Sequence, residues 1–211
     1  MQHFGIDLVL DVGADTGEWV RTIRRLGYRG RVVSFEPLRA SYAALRASSA
    51  ADPLWETVQT ALGNCDGSAT MHIAGNAHSS SLRGMLPAHL EAAPQSAYVG
   101  TEEVAIRRLD SVFAEHRRDA RSVYLKIDTQ GAEQDVLAGA TKALGEIVGL
   151  QLEMSLVPLY EGQLLFQDLY ARVASAGFTL MSLEPGFANA HTGQLLQVDG
   201  VFFRTRNGPL L

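Results

Sequence analysis

The residues of this chain best placed to do chemistry are acids at the ends of apolar runs. Asp11 follows Leu8-Val9-Leu10, and the chain then reads Gly13-Ala14-Asp15-Thr16-Gly17. The next apolar run, "VVSF", closes on Glu36 and Pro37. Glycine lets a backbone approach a ligand closely, and amides at a helix start can donate to it. A carboxylate ending the following strand can accept hydrogen bonds from both hydroxyls of a ribose. A dinucleotide fingerprint would put a middle glycine against a pyrophosphate. Here the pattern is Asp11-x-Gly13-x-x-x-Gly17, without that glycine, and Asp11 and Asp15 would repel a pyrophosphate. The same acids suit the ammonium and sulfonium groups of S-adenosylmethionine (SAM). An ordinary strand-to-helix turn is the plainer reading of the two glycines, and Glu36 argues against it.

Alternating elements must position these residues. "DLVLDV" (7–12) reads as a buried parallel strand, and "GEWVRTIRRLG" (17–27) has helical spacing, with Trp19, Val20, Ile23 and Leu26 on one face. "RVVSFE" (31–36) is a strand, 38–50 an Ala-rich helix after Pro37, and "WETVQTAL" (55–62) a third strand. Residues 67–74 and 102–109 read as two strands around a long loop, 75–100, rich in Ser, Ala, Gly and Pro. Loops of that length are commonly functional or disordered. Then come a strand (122–128), a helix (132–144), a strand (147–154), a helix (164–177) and two strands (178–184, 197–204) forming an edge hairpin. This alternation is that of an α/β domain with a mostly parallel sheet, one domain over 1–211.

Composition narrows the function classes. The chain has 211 residues, 18 basic and 23 acidic, with a net charge of −5. That balance argues against a general nucleic-acid binder. One cysteine, Cys65, excludes an internal disulfide and fits a reduced compartment. No stretch reaches the length of a membrane span, and "MQHFGIDLVL" lacks the features of a signal peptide, so a cytoplasmic protein is expected.

The segments "LVLDVGADTGEW", "VVSFEP", "TALGN", "LKIDTQGAEQDVLAGA" and "LQLEMS…LYEG" occur in that order. Together they resemble the FkbM-type family of SAM-dependent methyltransferases, from about residue 7 to 204. The resemblance implies a class I methyltransferase fold: a Rossmann-like sheet of seven strands with an antiparallel C-terminal hairpin, beside the inserted hairpin and loop. It implies O-methylation of a hydroxyl on a sugar, glycolipid or polyketide-type molecule. Carried over by position, Asp11, Gly13, Ala14 and Gly17, with Asp15 and Thr16 between them, match the turn at the methionine part of SAM. Glu36 and Pro37 match the ribose acid and its successor, Ala61 and Leu62 the wall beside adenine, and Asp128 the acid where methyl transfer occurs. Two positions depart from the family pattern: Asp15 stands where Asn is usual, and Gln130 where Glu is usual.

A hydroxyl attacking the SAM methyl is helped by a general base. Asp128, Glu153 at the end of its strand, and His78 in the long loop are the candidates. Each has a plainer reading: a partner of Lys126 or helix cap, a satisfied strand-end acid, and a solvated loop histidine. His3, His72, His89, His116 and His191 show no metal-ligand spacing, so no metal site is assigned. A divalent cation stays open but is not indicated, and Gln130 weakens it. "RTIRRLGYRGR" (21–31), with five arginines, reads as a solvated helix face. "VPLY" (157–160) follows the wrong strand for an amino-methylating motif. The alternatives are a nonenzymatic SAM-binding or assembly protein, then an NAD-dependent oxidoreductase or an RNA methyltransferase. A small-molecule hydroxyl is the expected partner, and a homo-oligomer stays open.

Overall fold

The computed structural model describes residues 1–204; residues 205–211, included in the single-domain expectation, lie outside the described residues. In chain order it contains β1 (Leu8–Val12), α1 (Glu18–Arg25), β2 (Arg31–Phe35), α2 (Arg39–Ser49), β3 (Trp55–Val58), β4 (Ala61–Leu62) and β5 (Gly67–Ala74). There follow α3 (Pro87–Ala92), β6 (Tyr98–Arg107), α4 (Leu109–Arg117), β7 (Val123–Ile127), α5 (Glu133–Ala138), β8 (Ile147–Ser155), α6 (Phe166–Ser175), β9 (Thr179–Pro185) and β10 (Gln197–Phe203).

Every residue of β1 and β7 is buried, as expected of strands covered on both faces. They form the middle of a seven-stranded sheet of order β3-β2-β1-β7-β8-β10-β9. Pairing is parallel except that β10 runs antiparallel to both β8 and β9. Side chains alternate across the sheet. Leu8, Leu10 and Val12 join Leu125, Ile127, Leu150 and Leu152 in one core layer with α4, α5 and α6. Val9 joins Tyr124, Val32 and Phe203 in the other, under α1 and α2.

Five expectations are corrected. The strand 55–62 divides: Thr60 donates its N–H to the Val58 carbonyl, turning the chain, and β4 leaves the main sheet to pair with β6. β4, β6 and β5 form a separate three-stranded sheet. The loop 75–100 is partly structured, since it contains α3 and yields to β6 at Tyr98. A helix unassigned from sequence, α4, buries Leu109, Val112, Phe113 and His116 at helical spacing. Finally, Leu26 is 80% exposed, because α1 ends at Arg25 before the face closes, while Val20 and Ile23 are buried as expected. The helix 132–144 is also shorter, ending at Ala138.

Candidate functional site

The carboxyl ends of β1, β2, β7 and β8 meet at a cavity of about 440 Å³. Parallel strands bring their terminal acids to one edge, where ligands of such sheets bind. Gly13, Ala14, Asp15, Glu36, Pro37, Ala61, Leu62, Asp128, Glu153 and His78 all line it. The structure thus brings together all three candidate bases and eight of the eleven expected cofactor contacts, Asp128 belonging to both groups. Asp11, Thr16 and Gly17 lie behind its wall. Asp11 is fully buried, accepts from Ser34 Oγ at 2.9 Å and faces Lys126 Nζ at 3.3 Å, because the three residues are register partners on adjacent strands. Thr16 offers its carbonyl to Arg21 and Ser48. Gly17 lies against Trp55 and Leu45.

The turn after β1 is held by the acid that ends β2. Glu36 Oε2 accepts the Asp15 N–H and Oε1 the Leu38 N–H, both at 2.9 Å. Asp15 adopts φ 46°, a left-handed conformation unusual for a side-chain-bearing residue, and this bond fixes it. Burial pushes the Glu36 carboxyl up to about 7 against those two bonds, with Asp15 and Asp11 adding to the rise. Asp15 Oδ2 meets His78 Nδ1 at 2.6 Å, while Oδ1 is buried without a hydrogen-bond partner.

The opposite end of the cavity is a charged cluster. Lys126 Nζ is buried 3.4 Å from Asp128 Oδ2 and 3.1 Å from the Gly13 carbonyl it donates to. Asp128 and Asp11 hold this ammonium well above its usual range, overcoming burial. Gln130, in left-handed backbone at φ 55°, donates from Nε2 to Asp128 Oδ1 and Glu153 Oε2, 2.8 Å each. Gln197 Nε2 also donates to Glu153 Oε2, at 2.7 Å. Burial, then the Asp128 charge, push the Glu153 carboxyl well above the carboxylate range. Among the described residues none bonds to its Oε1. Glu133 shapes the loop that carries Gln130: its Oε1 accepts from Thr129 N, Thr129 Oγ1 and Gly131 N.

Sequence reasoning found the strand-end acids and missed the amide that joins them. It treated Gln130 as a lost charge, and nothing local marks Gln197 or Tyr160 as its neighbours. Among the described residues no group of three His, Cys, Asp or Glu side chains is arranged to hold a metal ion, and no helix is long and apolar enough to cross a membrane.

A family model described as the methyltransferase FkbM domain matches residues 11–180. The 2-O-methyltransferase NoeI of Sinorhizobium fredii is 28% identical over 163 residues, 74% of this chain and 67% of that protein. The crystal structure of an FkbM methyltransferase from Methylobacillus flagellatus superposes with a TM-score of 0.55 at 15% identity, over 92% of this chain and 43% of its own. The magnesium protoporphyrin IX methyltransferase of Synechocystis, solved with bound SAM, gives 0.50 at 11% identity, over 95% of this chain and 71% of its own. This chain thus spans less than half of the first of those two structures, and both show a shared fold.

Proposed function

The chain belongs to the FkbM methyltransferase family, as its motifs led us to expect, and we propose that it methylates a hydroxyl oxygen on a sugar, glycolipid or polyketide-type small molecule. The cavity fits SAM. Its lining acids, Asp15, Glu18, Glu36, Asp128 and Glu153, accompany one ammonium group, Lys126, which is already paired. The buried, unpartnered Asp15 Oδ1 is an acceptor suited to a cationic ligand. Glu36 would hold the ribose hydroxyls, Gly13, Ala14 and Asp15 the methionine part, and Ala61 and Leu62 the adenine. SAM when bound supplies a methyl group activated by its positive sulfur.

The observation that carries the hydroxyl reading is the pair Asp128 and Glu153, held side by side by one amide nitrogen at the cavity end. Asp128 takes the proton lost by the acceptor hydroxyl as its oxygen bonds to the methyl carbon and the sulfur–carbon bond breaks, leaving S-adenosylhomocysteine. Glu153 Oε1 would hydrogen-bond a second hydroxyl of the acceptor, which favours polyhydroxylated molecules. His78 is a weaker base candidate, because its side chain is 71% exposed to solvent. The name of the NoeI relative, a 2-O-methyltransferase, supports oxygen as the target. The test is incubation with labelled SAM and cell extract, followed by mass spectrometry. A methyl ether product with S-adenosylhomocysteine is expected. SAM binding without S-adenosylhomocysteine from any extract would favour a nonenzymatic SAM-binding role.

A further inference from the structure

The amino-acid end of SAM carries a carboxylate as well as an ammonium group, and five acids line the cavity that would hold it: Asp15, Glu18, Glu36, Asp128 and Glu153. A carboxylate set among acids is stabilised by a cationic donor. Among the described residues that line the cavity, only Lys126 and His78 can carry positive charge. The Lys126 ammonium has three protons. Three acceptors already face it: Asp11 Oδ1 at 3.3 Å, Asp128 Oδ2 at 3.4 Å and the Gly13 carbonyl at 3.1 Å. His78 is less committed. Its Nδ1 meets Asp15 Oδ2 at 2.6 Å, and among the described residues none bonds to its Nε2. The exposure of its side chain leaves that nitrogen within reach of a ligand.

The segment "NAHSSS" (76–81) is braced around this ring. Ala77 turns the chain in left-handed backbone at φ 61°. Asn76 Oδ1 accepts from Ser79 N at 3.2 Å, and Ser80 Oγ accepts from Ala74 N at 3.0 Å and donates to the Ala77 carbonyl at 2.6 Å. Ser81 Oγ donates to the Gln130 carbonyl at 2.6 Å, which ties the loop to the turn after β7. We propose that His78 is a cofactor-binding residue: its imidazolium bridges two carboxylates, Asp15 at Nδ1 and the amino-acid carboxylate of SAM at Nε2. The assignment rests on the SAM reading above and gives His78 a role apart from proton abstraction. The Asp15 carboxylate can only accept, unlike the Asn usual at that position in the family, so the ring nitrogen facing it is a protonated one. Nε2 is then the nitrogen turned to the ligand, and its proton makes a charge-assisted hydrogen bond.

The test is calorimetry with three probes: SAM, S-adenosylhomocysteine and decarboxylated SAM, which keeps the sulfonium and the amine and lacks only the carboxylate. His78→Phe keeps a ring on the loop and removes both nitrogens. It should weaken SAM and S-adenosylhomocysteine each about tenfold and decarboxylated SAM by less than about twofold, because one charge-assisted hydrogen bond at an exposed site is lost. Any effect through Asp15 on the ammonium falls on all three probes alike and cancels in the comparison. The parent should prefer SAM to decarboxylated SAM by a similar factor. Equal weakening of all three probes in His78→Phe would overturn the proposal and leave His78 a brace of the loop. So would a SAM Kd that the variant leaves unchanged. A parent that binds SAM and decarboxylated SAM equally would overturn it without any variant having to fold. A parent that binds none of the three would instead refute the cofactor reading itself, and this assignment with it.

Discussion

A carboxylate that already accepts two backbone N–H groups holds its turn as well as any ligand, so Glu36→Ala would mix two effects. Glu36→Gln keeps one acceptor oxygen and the volume. It should weaken SAM binding by about 1.5–3 kcal/mol, the range for hydrogen bonds to charged groups. Calorimetry decides: an unchanged Kd removes Glu36 from the cofactor site. Asp128 asks a different question. Its carboxylate sits between Lys126 and Gln130, and Lys126 keeps Asp11 and the Gly13 carbonyl if Asp128 changes. Asp128→Asn preserves shape and removes basicity, so kcat should fall about 10²–10⁴-fold with little change in SAM Kd. Turnover at the parent rate would move the base to Glu153 or His78. Joint loss of SAM binding and kcat would assign Asp128 to the cofactor pocket.

At the scale of elements, Gly13 joins two strand ends rather than making room for a ligand. From the sequence one expects Gly13→Val to abolish SAM binding and leave the fold intact. The structure corrects this: a Cβ at Gly13 would lie 1.7 Å from the Asp128 carbonyl oxygen, at φ +76°. Even Gly13→Ala must push the end of β7 away from β1, breaking the approach that also gives the Asp128 N–H to the Val12 carbonyl bond of 3.0 Å. A destabilisation of about 2–4 kcal/mol is expected from overpacking and backbone strain together. Gly27→Ala, at φ +98° with open space around it, is the control for strain alone. Equal losses of thermal stability in the two variants would refute the clash. The same contrast shows what was legible in the sequence. The buried strands and their terminal acids were readable because apolar runs and strand-end carboxylates are local patterns. The α4 helix carried a local signal too, apolar residues at 109, 112 and 113, hidden behind the charges of "RRLDSVFAEHRR". The division at Thr60 and the cluster around Gln130 were not readable, since Tyr160 reaches Gln130 from 30 residues away and His89 reaches Tyr160 from 71, in steps no periodicity encodes.

For the molecule as a whole, the site makes stability depend on pH. Glu36 and Glu133 are each only 5% exposed, and burial pushes both carboxyls up to about 7. In the unfolded chain the same groups are ionised well below that. The folded state therefore binds more protons between the two values, and the stability this contributes is lost as pH rises through about 7. The buried histidines His89 and His116 are shifted the other way, down from the ordinary value, again chiefly by burial. Their effect opposes that of the carboxyls and extends to about pH 7.5, because in the unfolded chain these histidines are still half protonated at about pH 6.5. Above that pH they are neutral in both states, and Glu153 and Asp199, also raised chiefly by burial, add to the loss from Glu36 and Glu133. From pH 6.5 to 8 Glu36 and Glu133 contribute a loss of about 1.5 kcal/mol and the two histidines an opposing gain of up to about 0.8 kcal/mol, so the protein without cofactor should lose about 0.8 kcal/mol or more, seen as a fall in Tm of at least about 2–3 °C. Glu133→Gln should remove about 0.8 kcal/mol of the loss, because an amide does not titrate. Saturating SAM should remove most of the Glu36 share, since a cationic ligand holds that carboxyl ionised in the folded state and returns its midpoint toward the unfolded value. Thermal melts of the parent and of Glu133→Gln, with and without SAM, read both effects. A Tm flat from pH 6.5 to 8 without cofactor would mean that water reaches these carboxyls. A slope that SAM leaves untouched would mean that its charge does not lie near Glu36.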